Sequence, residues 1–507
     1  MNVIYPSTEI RKIEQAALRD LPPYTLMQRA GHAAAQAALR ILPGPAHSAT
    51  ILILAGPGNN GGDALEAAAG LAKAGAEVVA LLKTAPSQLP ADAAKALIRA
   101  QQHGVHLMPP EQFADIDSNQ WTLVIDGLFG IGLSRALDGD WRNLVQTVNA
   151  MTCPVLALDV PSGLNADTGV VVGGVAGIAI KASHTITFIA DKAGLHTGDG
   201  PDYAGKVEVA TLAIAENHFP APHMWLSQPE LFAEYLRPRR RNSHKGSFGD
   251  VAVIGGAAGM AGAPILAARA AAKCGAGRVF VGYADQPPAY DSAQPELMCR
   301  HAADLDFSSA VLVVGPGMGM ADSALALLTR ALDALSWLVL DADALNLLAR
   351  QPQLQVQVAQ RQHAVLMTPH PLEAARLLGV STSDIQADRV AAARTLASRF
   401  NAVVVLKGAG SIIARADGVV VVNSTGNPAL ATAGSGDVLS GICGALLAQG
   451  WPQWEAALAA VWLHGRAADQ LVAQGIGPIG LTASELIPEV RLLLNQLLYQ
   501  LLQERFS

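Results

Sequence analysis

From Ser7 onward apolar residues recur three or four positions apart. Ile10, Ile13, Ala17 and Leu18 share one face of a helix that Ser7 is placed to cap. A second helical stretch runs through LMQRAGHAAAQAALRIL, residues 26 to 42. The pattern then changes to short apolar runs separated by alanine-rich helical segments: Ile51–Leu54, Val78–Leu82, Leu123–Ile125, Val155–Leu158 and Ile186–Ile189. Unbroken apolar runs read as strands covered on both faces, and strands alternating with helices pair in parallel. Each run ends in a turn bearing Gly, Asp or Asn, and ligands of open α/β sheets bind at those carboxyl ends.

The texture breaks over residues 216 to 250, ENHFPAPHMWLSQPELFAEYLRPRRRNSHKGSFGD, which is proline-bearing, charged and without strand alternation. A domain boundary is placed near residue 225, giving units 1–225 and 226–507. Arg237, Arg239, Arg240 and Arg241 read as a solvated surface patch, with attraction for phosphate as the other reading. A second series follows: VAVIGG from 251, RVFVGYA from 278, AVLVVGPGMG from 310, WLVLDADALN from 337, AVLMTPH from 364 and AVVVLKGAG from 402. The chain turns helical from Gly436. Its final stretch, predicted helical after Pro488, is apolar on more than one face and is a candidate contact in a homo-oligomer. The pattern predicts an α/β protein of two tandem Rossmann-like three-layer domains.

Composition narrows the function classes. The chain has 507 residues, of which 51% are hydrophobic and 15% charged, so it suits buried parallel sheets and not a disordered chain. A net charge of −7 argues against nucleic acid as a partner. Cys153, Cys274, Cys299 and Cys443 are far apart and without a C-x-x-C pair, so reduced thiols are expected. Glu9 and Arg11 interrupt the start before an apolar leader can form, and no apolar stretch is long enough to span a bilayer. A soluble, cytoplasmic protein is expected.

The candidate chemistry begins at Gly56-x-Gly58-x-x-Gly61, the spacing of a dinucleotide-binding turn. An NAD-binding turn needs an acidic residue at the end of the next strand. Here that strand ends Leu82-Lys83-Thr84, so the redox reading loses ground. The loop instead carries Asn59, Asn60 and Asp63, and two further strand ends carry Asp126 and the pair Asp159 and Ser162. Asn60, Asp126 and Ser162 offer hard oxygens that can converge on one cation. Asp63 taken alone reads as a helix cap.

In the second half, Gly434-Ser435-Gly436-Asp437 opens a helix, so exposed N–H groups and the helix dipole form an anion hole. A carboxylate there can take the proton from a hydroxyl that attacks a phosphoryl group, which makes Asp437 the candidate base. Lys407 to Ser411 add a second glycine-rich turn with a phosphate-seeking lysine, and Pro369-His370-Pro371 stands at another strand end. Asp341 and Asp343 could orient Mg²⁺ through water or cap the following helix.

Together LMQRAG, AGPGNNGGD, DGLFGIGLSR and LDVPSGLNADTG resemble the NAD(P)H-hydrate epimerase domain of YjeF N-terminal type, over residues 1 to 215. HKGSFGDVAVIGG, VVGPGMG, LDADALN, MTPHPLEAARLL, VLKGAG and AGSGDVLSG resemble the ribokinase-like superfamily, and within it the ADP-dependent NAD(P)HX dehydratases. The first resemblance implies that NADHX or NADPHX binds at Asn59, Asn60, Gly61, Gly62 and Asp63, at Gly130, Ile131, Gly132, Leu133, Ser134, Arg135 and Ala136, and at Asp159. It implies K⁺ at Asn60, Asp126 and Ser162. The chain carries Ala64 where the family has glycine. The second resemblance implies hydrate contacts at Ala263, Gly317, His370 and Asp437, and nucleotide contacts at Lys407, Gly408, Ala409, Gly410, Ser411 and Gly436, with ADP and Mg²⁺. Asp159 is the candidate proton shuttle of the first domain. The rival reading is a vitamin-alcohol kinase with an N-terminal ligand-binding regulatory domain.

Overall fold

A computed structural model describes residues 2–109, 120–363 and 365–506. These form two compact units, Asn2–His223 and Met224 onward. Among the described residues the first unit has seven strands: β1 (Thr50–Ala55), β2 (Glu77–Leu82), β3 (His106–Met108), β4 (Leu123–Gly127), β5 (Val155–Leu158), β6 (His184–Phe188) and β7 (Lys206–Ala210). Their order is β3-β2-β1-β4-β5-β6-β7, and every pair is parallel. Side chains of a strand alternate between faces. Ile51, Ile53 and Ala55 therefore enter one apolar core while Leu52 and Leu54 enter the other. The strand order reverses direction between β1 and β4, and the crevice beyond their carboxyl ends is where such sheets take ligands.

Ser7 does not cap the first helix, Ser7–Asp20. Pro6 occupies the cap position, and Ser7 instead gives its N–H and hydroxyl to Asp167 at 2.7 and 2.6 Å. β3 and β7 are strands that the apolar runs do not announce. One has three residues and the other is half-exposed along its length, so neither needs a continuous apolar run.

The second unit holds β8 (Met224–Leu226), β9 (Asp250–Gly255), β10 (Arg278–Tyr283), β11 (Met298–His301), β12 (Val311–Val314), β13 (Leu338–Leu340), β14 (Val365–Met367), β15 (Val403–Leu406), β16 (Ile412–Ala414) and β17 (Val420–Val422). The order is β11-β10-β9-β12-β13-β14-β15-β16-β17-β8, antiparallel only at β15–β16 and β16–β17 among the described pairs. The segment read as strand-free thus contributes β8, which pairs with β17 through Met224, Trp225 and Leu226. The last helix spans Ala483–Phe506 and begins before Pro488, contrary to the sequence expectation; Pro488 lies inside it and forfeits the one backbone hydrogen bond that its missing N–H would make. All four cysteines are free, and no described helix is long and apolar enough to cross a membrane.

Candidate active sites

In the first unit the β1 turn leads into the helix Asn59–Lys73, whose cap is Gly58. A Cβ on Gly61 would collide with the Gly56 carbonyl, so the loop closes this tightly only with glycine. Gly61 and Gly62 are packing positions, and Gly62 faces Met27. Ala64 is fully buried against Gly127, and the helix runs unbroken through it. Asp63 is no cap. It lies past the first turn and lines a cavity of about 430 Å³.

Asn59, Asn60, Gly130, Ile131, Gly132, Leu133 and Asp159 share that cavity, whereas Ser134, Arg135 and Ala136 are exposed and outside its lining. Asp159 has φ +66°, which costs a residue with a Cβ about 1–2 kcal/mol. Its surroundings hold it there: its N–H bonds the Ile186 carbonyl at 2.8 Å, and its Oδ2 accepts from Ile131 N–H at 3.1 Å. Its Oδ1 lies 2.9 Å from Lys192 Nζ. Lys192 is completely buried, and its ammonium also donates to Thr187 Oγ1 and to the Phe188 and Ala190 carbonyls.

Two more carboxyls face this one. Burial, then the charges of Asp159, Glu14 and Glu66, push Asp63 well above the usual carboxylate range. Burial and Asp159 also raise Glu14, with Arg11 opposing. Sequence reasoning missed Glu14 and Lys192. Glu14 reads as the polar face of an amphipathic helix, and Lys192 belongs to no motif. Only the fold brings them to Asp159.

Asn60 lines the cavity, and Asp126 and Ser162, which are outside its lining, are bonded to each other. Asp126 accepts from Ser162 Oγ at 2.7 Å and Ser162 N–H at 2.8 Å, and from Leu128 N–H at 3.1 Å. Burial raises its pKa to about 6, against the pull of those donors. Asn60 Nδ2 donates to the Leu158 carbonyl at 3.2 Å, while its Oδ1 is buried without a partner. The orphaned amide oxygen, the buried carboxylate and the hydroxyl are hard donors of the kind a cation such as K⁺ would take.

In the second unit the helix Ser435–Ala448 starts after Gly434, whose φ of +88° requires glycine. Asp437 lies in its first turn, half-buried. Burial and Asp341 lift its pKa to about 7, with Lys407 opposing. Lys407 Nζ is 2.7 Å from Asp341 Oδ1, and a Cβ built on Gly436 would lie 3.2 Å from the same ammonium. Burial alone would lower Lys407, but Asp341 and Glu373 outweigh it and keep the lysine charged. Strand ends β13 and β15 and a helix start therefore converge on one point. Gly434, Gly436 and Lys407 present positive potential there.

Neither Asp341 nor Asp343 spends its carboxylate on capping. Asp341 Oδ2 is buried without a partner, and Asp343 Oδ2 accepts from Gly319 N–H at 2.8 Å, pinning the GPGMG loop. That loop brings Gly317 against Ala263, where a Gly317 Cβ would stand 3.1 Å from the Ala263 Cβ. His370 is the cap of the helix Pro371–Leu378: its Nδ1 accepts from Leu372 and Glu373 N–H, and Nε2 lies 3.2 Å from Glu373 Oε1. Burial and Lys407 lower the histidine, so the neutral ring is the working form, whereas burial raises Glu373 to about 7. Ser411 Oγ closes its turn onto the Gly408 carbonyl at 3.0 Å. Beneath that turn, Arg389 is buried and donates to the Leu406 and Lys407 carbonyls. Glu373 and Arg389 were not singled out from the sequence, because neither sits in a glycine-rich motif.

The family model described as YjeF-related protein N-terminus matches residues 23–194, and that described as NAD(P)H-hydrate dehydratase matches residues 251–490. The bifunctional NAD(P)H-hydrate repair enzyme of Coxiella burnetii is 40% identical, over 98% of this chain and 100% of its own length. That of Escherichia coli is 37% identical, over 97% of this chain and 94% of its own. The ADP/ATP-dependent NAD(P)H-hydrate dehydratase of Bacillus subtilis, co-crystallised with ATP and Mg²⁺, is 29% identical over 53% of this chain and 97% of that one, with a TM-score of 0.48. Matched along almost its whole length, the chain belongs to the family of bifunctional NAD(P)H-hydrate repair enzymes.

Proposed function

We propose that this chain restores hydrated NADH and NADPH, with Asn2–His223 epimerising the R and S hydrates and the unit from Met224 dehydrating the S form at the expense of ADP. The carrying observation is Asp437, a carboxylate with a pKa raised to about 7 beside Lys407 at the start of a helix. Hydroxide leaves poorly, so the hydroxyl of the hydrate is first phosphorylated. Asp437 takes its proton as the oxygen attacks the terminal phosphoryl group of ADP, and AMP leaves. The helix N–H groups and Lys407 stabilise the charge that develops on the transferred group. Phosphate then departs, driven by the ring nitrogen lone pair, and loss of the neighbouring ring proton restores the dihydronicotinamide.

The unpartnered Oδ1 of Asn60, with Asp126 and Ser162, would hold K⁺, which supplies fixed positive charge beneath the substrate. Asp341, with its unpartnered Oδ2, would hold Mg²⁺ through water, and Mg²⁺ supplies charge neutralisation at the phosphates. In the epimerase cavity Asp159 takes and returns the proton, fixed by Lys192 and Ile131, and Asp63, held above the usual carboxylate range by burial and the Asp159 charge, lines the same cavity as a second acid. We place the chain in the cytoplasm, where both substrates occur. A vitamin-alcohol kinase would instead release a stable phosphorylated product, and the complete Asn60, Asp126 and Ser162 set gives it no purpose.

Asp437→Asn should lower dehydration of S-NADHX about 10²–10⁴-fold, the usual worth of a general base, and leave epimerisation unchanged. Dehydration by that variant at the wild-type rate would remove Asp437 from the mechanism.

A further inference from the structure

The arginine run after the domain boundary is not used by either reaction. It opens onto a cleft of about 1020 Å³ in the unit from Met224 onward. Arg237, Arg239, Arg240, Lys273 and Arg491 line it, and among the described residues no Asp or Glu does, although Glu234 and Glu455 act on the Tyr235 hydroxyl at its edge. These cations come from three separate parts of the chain: the segment before β9, the last turn of the helix Gly262–Lys273, and the helix Ala483–Phe506. Among the described residues the arginine and lysine ion pairs that can be named in this unit lie elsewhere, at Arg269–Asp291, Arg278–Asp250, Lys407–Asp341 and Arg415–Asp417.

Cations at helix C-termini can simply offset the helix dipole. Two helices, Gly262–Lys273 and Ser435–Ala448, end at this cleft. Each end carries about −0.5 of an elementary charge, so the two together neutralise about one of the five cations. In a chain of net charge −7, five cations gathered on folded elements around one cleft are a built feature.

The cleft also has fixed and free parts. Arg239 is spent on structure: one guanidinium nitrogen donates to the Gly275 carbonyl at 2.7 Å and Gln449 Oε1 at 2.9 Å, and the group lies 3.7 Å over the Phe248 ring. That anchors the segment and leaves Arg237, Arg240, Lys273 and Arg491 facing the cleft. Trp451 and Tyr235, with ring centroids 5.9 Å apart, form an aromatic wall, and the exposed Tyr499 adds a third ring. Arginine forks match phosphate oxygens, and aromatic faces accept a planar base.

We infer that this cleft is a second binding site, for a phosphorylated, base-bearing small molecule of the nucleotide class, separate from the site at Asp437. The helix Ser435–Ala448 separates the two. Gly436 starts it beside Lys407, and Gln449 and Gly450 follow it into the cleft, about 20 Å away for 14 residues. The inference does not depend on which reaction Asp437 catalyses.

Equilibrium dialysis of the full chain against labelled ADP tests it, with inorganic tripolyphosphate as the second probe. Wild type should bind two ADP per chain, and Arg240→Glu with Arg491→Glu should lose one, its affinity falling at least tenfold, while dehydration at saturating ADP stays at the wild-type rate. Tripolyphosphate should compete for that same site, but more weakly than ADP. A single ADP per chain in both proteins would overturn the proposal. So would a double variant that changes only the oligomeric mass, which would make the cleft an interface between copies. Tripolyphosphate binding as tightly as ADP would overturn recognition of the base.

Discussion

Asp159 and Asp437 each stand at the carboxyl edge of a largely parallel sheet, yet their surroundings differ. Asp159 sits in a strained backbone position, tied at one oxygen to a completely buried lysine and at the other to the Ile131 N–H. Among the described residues Asp437 has no ion-pair partner of its own. Lys407 belongs to Asp341, and burial with the Asp341 charge leaves Asp437 near 7. The first arrangement places a fixed carboxylate in one cavity with two acids, Asp63 and Glu14, that burial and its own charge hold above the ordinary carboxylate range, a setting suited to the reversible proton exchange proposed there. The second leaves one carboxylate with a pKa near 7, suited to the single proton transfer proposed for it. Two carboxylates at the carboxyl ends of two such sheets thus acquire different electrostatic settings from the position of one lysine.

The lysines are therefore where the comparison breaks most readily. Lys192→Met leaves Asp159 without its buried partner, and removal of one member of a buried pair costs about 3–5 kcal/mol. Epimerisation should be lost and the first unit should melt well below wild type, while dehydration of pure S-NADHX persists. Thermal unfolding with the two separate assays checks this, and unchanged epimerisation would remove Lys192 from the site.

Lys407→Met acts in the opposite sense on its base. Lys407 opposes the rise of Asp437, so its removal lifts Asp437 further above 7. The base works deprotonated. The acid limb of the dehydration profile should therefore move to higher pH, with the rate partly recovered in alkali. A limb that stays near 7 would mean Asp437 does not govern it.

The smallest effect concerns the cation. Asp126 has a folded pKa of about 6 against 3.8 for the ordinary group, so the folded chain binds more protons between those values. Its contribution to stability therefore falls as pH rises through that window. A bound K⁺ favours the carboxylate and should offset that loss above pH 6. The melting temperature in potassium chloride should exceed that in tetramethylammonium chloride, by about 2–4 °C for each kcal/mol of binding. Asp126→Asn should abolish the difference.

How much of this was legible in the sequence follows from how local each signal is. The buried strands β1, β4, β9 and β12 announce themselves because both faces need apolar side chains. Edge strands such as β3 and β11 lack that demand, and β8 hides in a proline-bearing segment. Glycine-rich turns and strand-end acids expose Asn60, Asp126, Ser162, Lys407 and Asp437, since close approach and charge need particular residues at particular spacings. Lys192, Glu14, Glu373 and Arg389 carry no such spacing and act through tertiary contact alone. The caps expected at Ser7 and Asp63 fail because their side chains have other work, on Asp167 and in the cavity.

The most direct test is recovery of reduced nicotinamide absorbance when wild-type protein is added to mixed R- and S-NADHX with ADP, Mg²⁺ and K⁺, over a time in which the hydrates alone do not interconvert. Two working sites predict return of all the NADH and release of one AMP for each molecule restored. Return of the S fraction alone would contradict an active epimerase in the first unit, and no return would contradict repair by this chain.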